Sequence, residues 1–311
     1  MKNSILGLHH ITAIAGYAKR NMHFYSQVLG VRMVKKTVNF DDPGTYHFYY
    51  GNEVGSPGTI LTFFPWEGIG AGKNGTGMAT SIGYAVPAGS LSFWIDRFNE
   101  YKVRYEPVTQ QFGEQTLRFT DPDGLNIALI EPATPDPRTA WTTDAVGVAN
   151  ATRGFHNVVL NLQQVEATGR VLTNIFGYRQ QLQEGEQYRF VTSAVGQASI
   201  VDLQLSPGQG RGVNAAGTNH HVAFRVENEE VLMNFREKIA SAGFSITPKI
   251  DRDYFFSLYF REPGGVLFEL ATDNPGFATD EDVANLGSSL RLPKQYESSR
   301  ATIEAALPAL G

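Results

Sequence analysis

The sequence contains no cysteine, and this absence excludes several kinds of chemistry at once. Disulfides, thiolate metal sites, cysteine nucleophiles and thiol redox sensors all require the missing side chain. Any metal ion bound by this chain must therefore use nitrogen and oxygen ligands.

The sequence also has little excess charge and no long apolar run. A formal net charge of −5 gives no positive field to attract phosphate backbones, so nucleic acid is not expected as a partner. No apolar run approaches the length of a membrane span, and the opening residues MKNSILGLHHITAI do not resemble a signal peptide. We expect a cytoplasmic protein with no membrane partner.

The length and composition allow two ordinary domains. Of the 311 residues, 42% are hydrophobic and 12% are aromatic, enough to fill a substantial core. A proline-rich stretch at 131–137 predicts a break in the middle of the chain. The sequence thus predicts an N-terminal domain at 1–131, a linker at 132–152, a C-terminal domain at 153–272 and a helical tail at 273–311.

Internal repeats divide each half of the chain into two similar segments, each reading as a strand, a helix and then several strands. In the first and third segments, His10 precedes Gly30 by 20 residues and His156 precedes Gly177 by 21. The second and fourth segments share a hairpin, LRFTDPDG in one and LYFREPGG in the other, before an apolar strand. The repeats predict an α+β protein of four βαβββ modules.

Local signals support these elements. The clearest helix follows Asn228, a favourable N-cap, and ends near Gly243, with its apolar face formed by Val231, Leu232, Phe235 and Ile239. β-branched and aromatic residues predict strands at 46–50 and 59–64. The glycine-rich stretch 68–77, between the first two modules, is predicted to be a mobile connector or lid.

Two pairs of adjacent histidines open predicted strands, His9-His10 and His220-His221. Successive strand residues point to opposite faces, so only one histidine of each pair can face a barrel interior. Histidines also serve as polar caps at strand ends, which is the alternative for a single pair. Two pairs at equivalent strand starts favour a metal site.

The third candidate ligand is Glu269, in the middle of the apolar strand GVLFEL. A buried carboxylate needs a cation, a proton or a metal, whereas on an edge strand it would simply face solvent. Two imidazoles and one carboxylate on rigid strands are typical of non-haem ferrous sites with open coordination positions. Zn²⁺, Mn²⁺ or Ni²⁺ can use the same ligands, and hydrolysis by metal-bound water is not excluded.

Four motifs resemble the vicinal oxygen chelate superfamily, and within it the hydroquinone ring-cleaving dioxygenases: GLHHIT, HHVAF, REPGGVLFELATD and LPKQYESSR. The similarity covers nearly the whole chain. It implies that the second histidine of each pair and the strand glutamate hold ferrous iron, which here are His10, His221 and Glu269. Because one ligand lies in the first module and two in the fourth, these modules must share one of two open barrels of mixed sheet.

The resemblance also implies roles for residues around the metal. Arg252 and Tyr259, together with Thr12, would bind the substrate, and Tyr259 would also act in catalysis. His9 and His220 are acid–base candidates because histidine titrates near neutrality. An arginine beside two aspartates is equally typical of a surface ion pair.

The other barrel is expected to be free of metal. The repeats place His156 at the position of His10, but Ser81 or Ile82 stands at the second ligand position and Ala128 at the third. These side chains do not supply an equivalent set of ligands.

The sequence thus favours an Fe(II)-dependent extradiol-type dioxygenase that opens the ring of hydroquinone or substituted hydroquinones with dioxygen. Two alternatives stay open. One is a glyoxalase-type isomerase or thiol transferase that uses its metal only as a Lewis acid, and the other is a metal-free binding protein that confers resistance to small toxic compounds. The fold hosts all three activities, and a homo-oligomer is an open alternative to a monomer.

Overall fold

Strands make up most of the regular structure in this computed structural model, which describes residues 4–310. The strands are β1 (Leu8–Ala15), β2 (Arg32–Val38), β3 (Tyr46–Gly51), β4 (Ile60–Pro65), β5 (Met78–Ala85), β6 (Thr109–Gln111), β7 (Glu114–Thr120), β8 (Asn126–Glu131), β9 (Gly154–Leu162), β10 (Arg179–Glu184), β11 (Gln187–Val191), β12 (Ile200–Leu205), β13 (Thr218–Val226), β14 (Ile250–Asp251), β15 (Phe255–Arg261) and β16 (Leu267–Pro275). The α-helices are α1 (Ala18–His23), α2 (Leu91–Glu100), α3 (Glu166–Arg170), α4 (Glu229–Ser241) and α5 (Arg300–Ala306). Two π-helical turns extend α1 and α3, at Phe24–Val28 and Val171–Ile175, and three 3₁₀ turns occur near the C-terminus, at Phe277–Thr279, Val283–Asn285 and Lys294–Ser299.

The strands form two mixed sheets of eight. The first has the order β14-β15-β16-β13-β1-β4-β3-β2 and the second the order β10-β11-β12-β9-β5-β8-β7-β6. The first sheet therefore combines the first and fourth modules, and the second sheet combines the second and third. The predicted fold of four modules in two half-barrels is confirmed.

The predicted helix after Asn228 is also confirmed. The Asn228 side chain accepts a hydrogen bond from the backbone N–H of Val231, and the four predicted apolar residues are buried. Gly243 has φ +89°, a conformation that glycine adopts without steric cost, so the chain can turn sharply after α4. The helix packs against β13, β15 and β16, and two of these strands, β13 and β16, carry candidate ligands.

Backbone hydrogen bonds hold the glycine-rich stretch 68–77, which the sequence predicts to be a mobile connector or lid. Its backbone pairs with the matching connector before β13: Gly72 N donates to Ala216 O at 2.8 Å, and Lys73 exchanges bonds of 3.0 and 2.8 Å with Val213. A Cβ on Gly75 would collide with the backbone of Gly212, so the glycines allow two chains to run in contact. The two connectors join the two sheets.

The strand register corrects one equivalence drawn from the repeats. His10 pairs with the first residue of β4, and the residue that pairs with the first residue of β12 is Asn157. Asn157, not His156, therefore takes the place of His10, and His156 takes the place of His9. The separation from Asn157 to Gly177 is 20 residues, as in the first module. Aligning His156 with His10 because both are histidines shifts the two strands by one residue, and a one-residue shift moves each side chain to the opposite face of the sheet.

The same register identifies the residues of the second barrel that match Glu269 and His221. Glu269 pairs with Ala223, and Ala128 pairs with Gly83. Ser81 stands two residues before Gly83, as His221 stands two residues before Ala223, so Ser81 rather than Ile82 is the match. The second barrel thus carries an amide, a hydroxyl and a methyl group where the first carries the candidate ligands.

A cluster of buried charges occupies the interior of the second barrel instead. The Arg189 guanidinium contacts Asp202 through two hydrogen bonds of 2.9 and 3.0 Å and Glu114 through one of 2.7 Å. His156 lies 2.9 Å from the same Glu114 oxygen, and Asn157 donates to Asp202 at 2.6 Å. These contacts pair every charge in the cluster.

The C-terminal segment packs against the first sheet. The buried ammonium of Lys35 on β2 contacts Asp280 and Glu281, and the Tyr254 hydroxyl donates to Asp280 at 3.0 Å. Tyr296 donates to the carbonyl of Phe40 at 2.6 Å. The division into domains, linker and tail stays a prediction. Among the helices of residues 4–310, none has the length and apolarity that crossing a membrane requires.

Candidate metal centre

Three neighbouring strands in the middle of the first sheet bring the predicted ligands together. His10 lies on β1, His221 on β13 and Glu269 on β16, and all three side chains are buried. One ligand atom from each lies within 4.8 Å of the others, and this is the one such group of metal-binding side chains in the described residues 4–310. The structure thus brings the three predicted residues together, and their role as metal ligands stays a prediction.

The facing atoms have the chemistry of a metal site. Glu269 Oε2 lies 2.8 Å from Nε2 of His221 and 3.2 Å from Nε2 of His10, yet it has no hydrogen bond of good geometry. The other carboxylate oxygen is held by the Ser257 hydroxyl. A buried anionic oxygen without a hydrogen bond is costly, and a divalent cation between the three atoms would satisfy it.

The protonation states agree with this interpretation. Burial raises the pKa of Glu269, but the facing His10 and His221 lower it by more, and the net pKa is well below the usual range. Burial lowers the pKa of His221, and Glu269 opposes this only in part. The carboxylate is therefore ionised and His221 is neutral near neutral pH, the forms in which both bind metals.

The first histidine of each pair supports the second. His9 lies 3.1 Å from the carbonyl of Thr272 through Nε2, so Nε2 carries its proton. His9 Nδ1 is then an acceptor, and His10 Nδ1, 2.9 Å away, must donate to it. This leaves the lone pair of His10 on Nε2, which faces the metal position. His220 Nδ1 lies 2.8 Å from His221 Nδ1 in the matching arrangement.

This arrangement predicts the effect of replacing His9. His9→Leu removes the acceptor that fixes the tautomer of His10, so we expect metal affinity to fall by about 10–100-fold. His9→Gln retains an acceptor oxygen and should recover part of the loss. Competition with a chromophoric chelator measures both, with His23→Leu, an exposed position on α1, as the control. Wild-type affinity in His9→Leu would contradict the proposed support.

A cavity of about 230 Å³ opens beside the metal position. The predicted substrate-binding residues Thr12, Arg252 and Tyr259 line it together with His10, His220 and His221. Its remaining wall is largely aromatic and includes Phe40, Phe64, Trp66 and Phe255. The cavity therefore has the size and lining suited to a small aromatic compound.

Arg252 and Tyr259 form the charged side of this cavity. The guanidinium carbon of Arg252 lies 5.4 Å from the centroid of the Tyr259 ring, and Nη1 lies 3.8 Å from the Asp41 carboxylate. Burial lowers the pKa of Arg252, but Tyr259 and Glu269 raise it by more, so the cation persists. Burial and Glu269 raise the pKa of Tyr259, so its hydroxyl keeps its proton and can donate.

Among the cavity residues that the sequence did not indicate are His47 and Tyr49 on β3. The sequence predicts only that the two residues belong to the strand at 46–50, and in the structure both side chains are buried and line the cavity. Their spacing of two residues puts them on one face of the strand, and this was the available signal. Without the strand order, nothing in the sequence showed that β3 lies near the metal position.

Comparison with known proteins identifies the superfamily of this chain. The model of the Glyoxalase/Bleomycin resistance protein/Dioxygenase superfamily matches residues 7–129 and 132–270. The chain belongs to this superfamily. The structure of glyoxalase I from Zea mays shares the fold, with a TM-score of 0.63 at 12% identity over 86% of this chain and 92% of that one.

More similar proteins have names that refer to ring cleavage. The chain is 45% identical over 307 residues to "Putative ring-cleaving dioxygenase MhqO" of Bacillus subtilis, covering 99% of this chain and 97% of that protein. It is 34% identical to a chlorohydroquinone/hydroquinone 1,2-dioxygenase of Sphingobium indicum, over 94% of this chain and 92% of that protein. A solved Bacillus subtilis structure titled a putative dioxygenase superposes with a TM-score of 0.95 at 44% identity, over 99% of this chain and 98% of that one.

Proposed function

We propose that the protein is an Fe(II)-dependent extradiol-type dioxygenase that cleaves the ring of hydroquinone or a substituted hydroquinone. The main support for the proposal is that one aromatic-lined cavity is lined by two of the candidate metal ligands, His10 and His221. The same cavity is lined by Arg252 and Tyr259. The metal position and the groups that would hold a phenolic oxygen share this small space. The names of the relatives in Bacillus subtilis and Sphingobium indicum support the same reaction and substrate class.

His10, His221 and Glu269 would hold the ferrous ion in this proposal. When bound, the ion supplies the redox chemistry that couples dioxygen to an aromatic ring. The ligand set suits Fe(II) because two imidazoles and one carboxylate leave coordination positions for both substrates. Mn²⁺, Zn²⁺ and Ni²⁺ stay alternatives for these ligands.

The chain's own residues bind and orient the substrate. The Arg252 cation stabilises an ionised substrate oxygen, and the protonated Tyr259 hydroxyl donates a hydrogen bond to it. Phe40, Phe64 and Trp66 pack around the ring and exclude water from the cavity. Ionisation of the substrate is thus favoured only where these donors converge.

The two acid–base candidates differ in position. His220 lines the cavity, and burial together with the neighbouring His221 lowers its pKa to about 3, so it is neutral near neutral pH. His9 is bonded through both ring nitrogens to His10 and Thr272, and does not line the cavity. We therefore assign substrate contact to His220 and support of the metal ligand to His9.

Oxygen uptake by the ferrous protein tests this proposal. After anaerobic loading with Fe²⁺, we expect one dioxygen to be consumed for each methylhydroquinone, with little uptake by a zinc-loaded sample. Zinc binds similar ligands but has no redox chemistry, so it is the matched control. Activity on thiol or aldehyde substrates with zinc, without oxygen uptake, would instead support an isomerase or transferase. A protein that purifies and binds ligands without metal would support the resistance-protein alternative.

A further inference from the structure

Four side chains outside the metal ligands form a continuous hydrogen-bonded chain. Thr12 Oγ1 lies 2.9 Å from Thr62 Oγ1, and Thr62 Oγ1 lies 2.9 Å from His47 Nε2. His47 Nδ1 in turn lies 3.0 Å from the Tyr49 hydroxyl. The residues come from β1, β4 and β3, three adjacent strands, and we call them the polar chain.

Both ends of the polar chain open onto the cavity. Thr12 and Tyr49 line the cavity together with His47, whereas Thr62 is fully buried behind them and does not line it. The chain therefore begins and ends in the space that the substrate would occupy. Thr62 is the single link between its two halves.

Each member of the chain can donate one proton and accept another. In one direction, Thr12 donates to Thr62, Thr62 donates to His47 Nε2, and His47 Nδ1–H donates to Tyr49. In the opposite direction every bond is reversed, and His47 has its proton on Nε2. Transfer of one proton along the chain exchanges these two states and leaves every member neutral.

Neutrality matters because the surroundings disfavour charge on these groups. Burial and the nearby His10 lower the pKa of His47 well below its usual range, and burial raises the pKa of Tyr49 well above its own. Neither group ionises near neutral pH. A chain that moves a proton without forming a charge fits such a site.

We propose that the polar chain is a proton relay between two points of the cavity. A substrate O–H bond breaks as its proton passes to the hydroxyl at one end, each member passes its own proton onward, and the hydroxyl at the other end gives a proton to an oxygen atom of the reacting substrate or of water. No electron is gained or lost by the chain. This inference rests on the proposed ring cleavage, because opening a dihydroxylated ring requires hydroxyl protons to be removed and returned.

Substitution of Thr62 tests the relay without touching the cavity wall. Thr62→Val keeps the shape but removes the linking hydroxyl, so we expect kcat to fall by about 100-fold, a typical size for a lost proton-transfer group. KM should change by less than about threefold, because the binding groups remain. Thr62→Ser restores a hydroxyl and should recover most of kcat. Thr116→Val, a buried strand threonine in the other sheet, is the matched control and should leave kcat unchanged.

A second measurement asks whether the polar chain exists, independently of turnover. In metal-free protein labelled with ¹⁵N-histidine, the His47 Nε2 resonance should move in Thr62→Val and stay in place in Thr116→Val. Full kcat in Thr62→Val, with an active wild type, would overturn the relay and leave the proposed function standing. An unmoved Nε2 resonance would also overturn it. A ferrous wild type that consumes no oxygen would overturn the proposed function and the relay with it.

Discussion

Replacing Glu269 with glutamine is expected to remove both metal binding and oxygen uptake. The substitution keeps the shape of the side chain, but it removes the negative charge that faces His10 and His221 at 3.2 and 2.8 Å. Loss of an outer partner of a metal ligand costs about 10–100-fold in affinity, so loss of the anionic ligand itself should cost more than about 100-fold. Oxygen uptake with methylhydroquinone should fall to background. Metal content after gel filtration and oxygen-electrode traces measure the two losses.

A matched control separates ligation from general destabilisation. Glu262, in the hairpin between β15 and β16, is also a buried carboxylate, but it accepts hydrogen bonds from Thr168 and from the backbone N–H groups of Gly264 and Val266. Glu262→Gln is expected to lower stability and to retain metal. If Glu269→Gln retained the metal as firmly as Glu262→Gln, His10, His221 and Glu269 would not form the metal centre.

The largest expected effect on stability lies in the other sheet, at Arg189. Arg189→Met keeps an unbranched apolar stem but removes the guanidinium, so Glu114 and Asp202 stay buried without their main cation. Removing one partner of a buried ion pair typically costs about 3–5 kcal/mol, and we expect this loss in the free energy of unfolding. Metal affinity should change little, because the metal centre is built from the first sheet. Urea denaturation and metal titration of the same variant measure both effects.

Arg179→Met provides the control, since Arg179 is exposed on β10 of the same sheet and its replacement should change stability by less than about 0.5 kcal/mol.

The pH dependence of the free energy of unfolding provides a second test of the role of Arg189. Burial raises the pKa of Glu114, but His156 and Arg189 lower it by more, from 4.5 to about 2. The contribution of Glu114 is therefore fully present above pH 4.5 and is lost as the pH falls through about 2. In Arg189→Met this acid-dependent loss should be smaller, and equal stability of the two arginine variants would contradict the structural role.

The sequence indicated the candidate metal centre because its residues conflict with their surroundings. A carboxylate at position 269 inside an apolar strand, and histidines at the starts of two matching strands, are both costly without a shared partner. Ligands at 10, 221 and 269 then require the first and fourth modules to pair, which the sheet order confirms. Conflicts of this kind between local pattern and residue type mark functional sites.

The sequence did not reveal contacts that depend on exact register. His156 appeared to match His10 because both are histidines, whereas strand pairing assigns that position to Asn157. The shared face of His47 and Tyr49 could not be assigned to the site, because a histidine on a strand is ordinary until the neighbouring strands are known. The pairing of the two glycine-rich connectors was hidden for a similar reason, since backbone contacts leave little trace in residue type beyond the glycines.

Labelled dioxygen tests the central claim most directly. Ferrous protein should be supplied with methylhydroquinone under ¹⁸O₂, and the product analysed by mass spectrometry. A ring-cleaving dioxygenase places both oxygen atoms in one ring-opened product, so we predict a doubly labelled product in the wild type and none in Glu269→Gln. Water exchange is controlled by a parallel sample in H₂¹⁸O under unlabelled dioxygen. An unlabelled quinone, or an unchanged hydroquinone, would contradict ring cleavage at this metal centre.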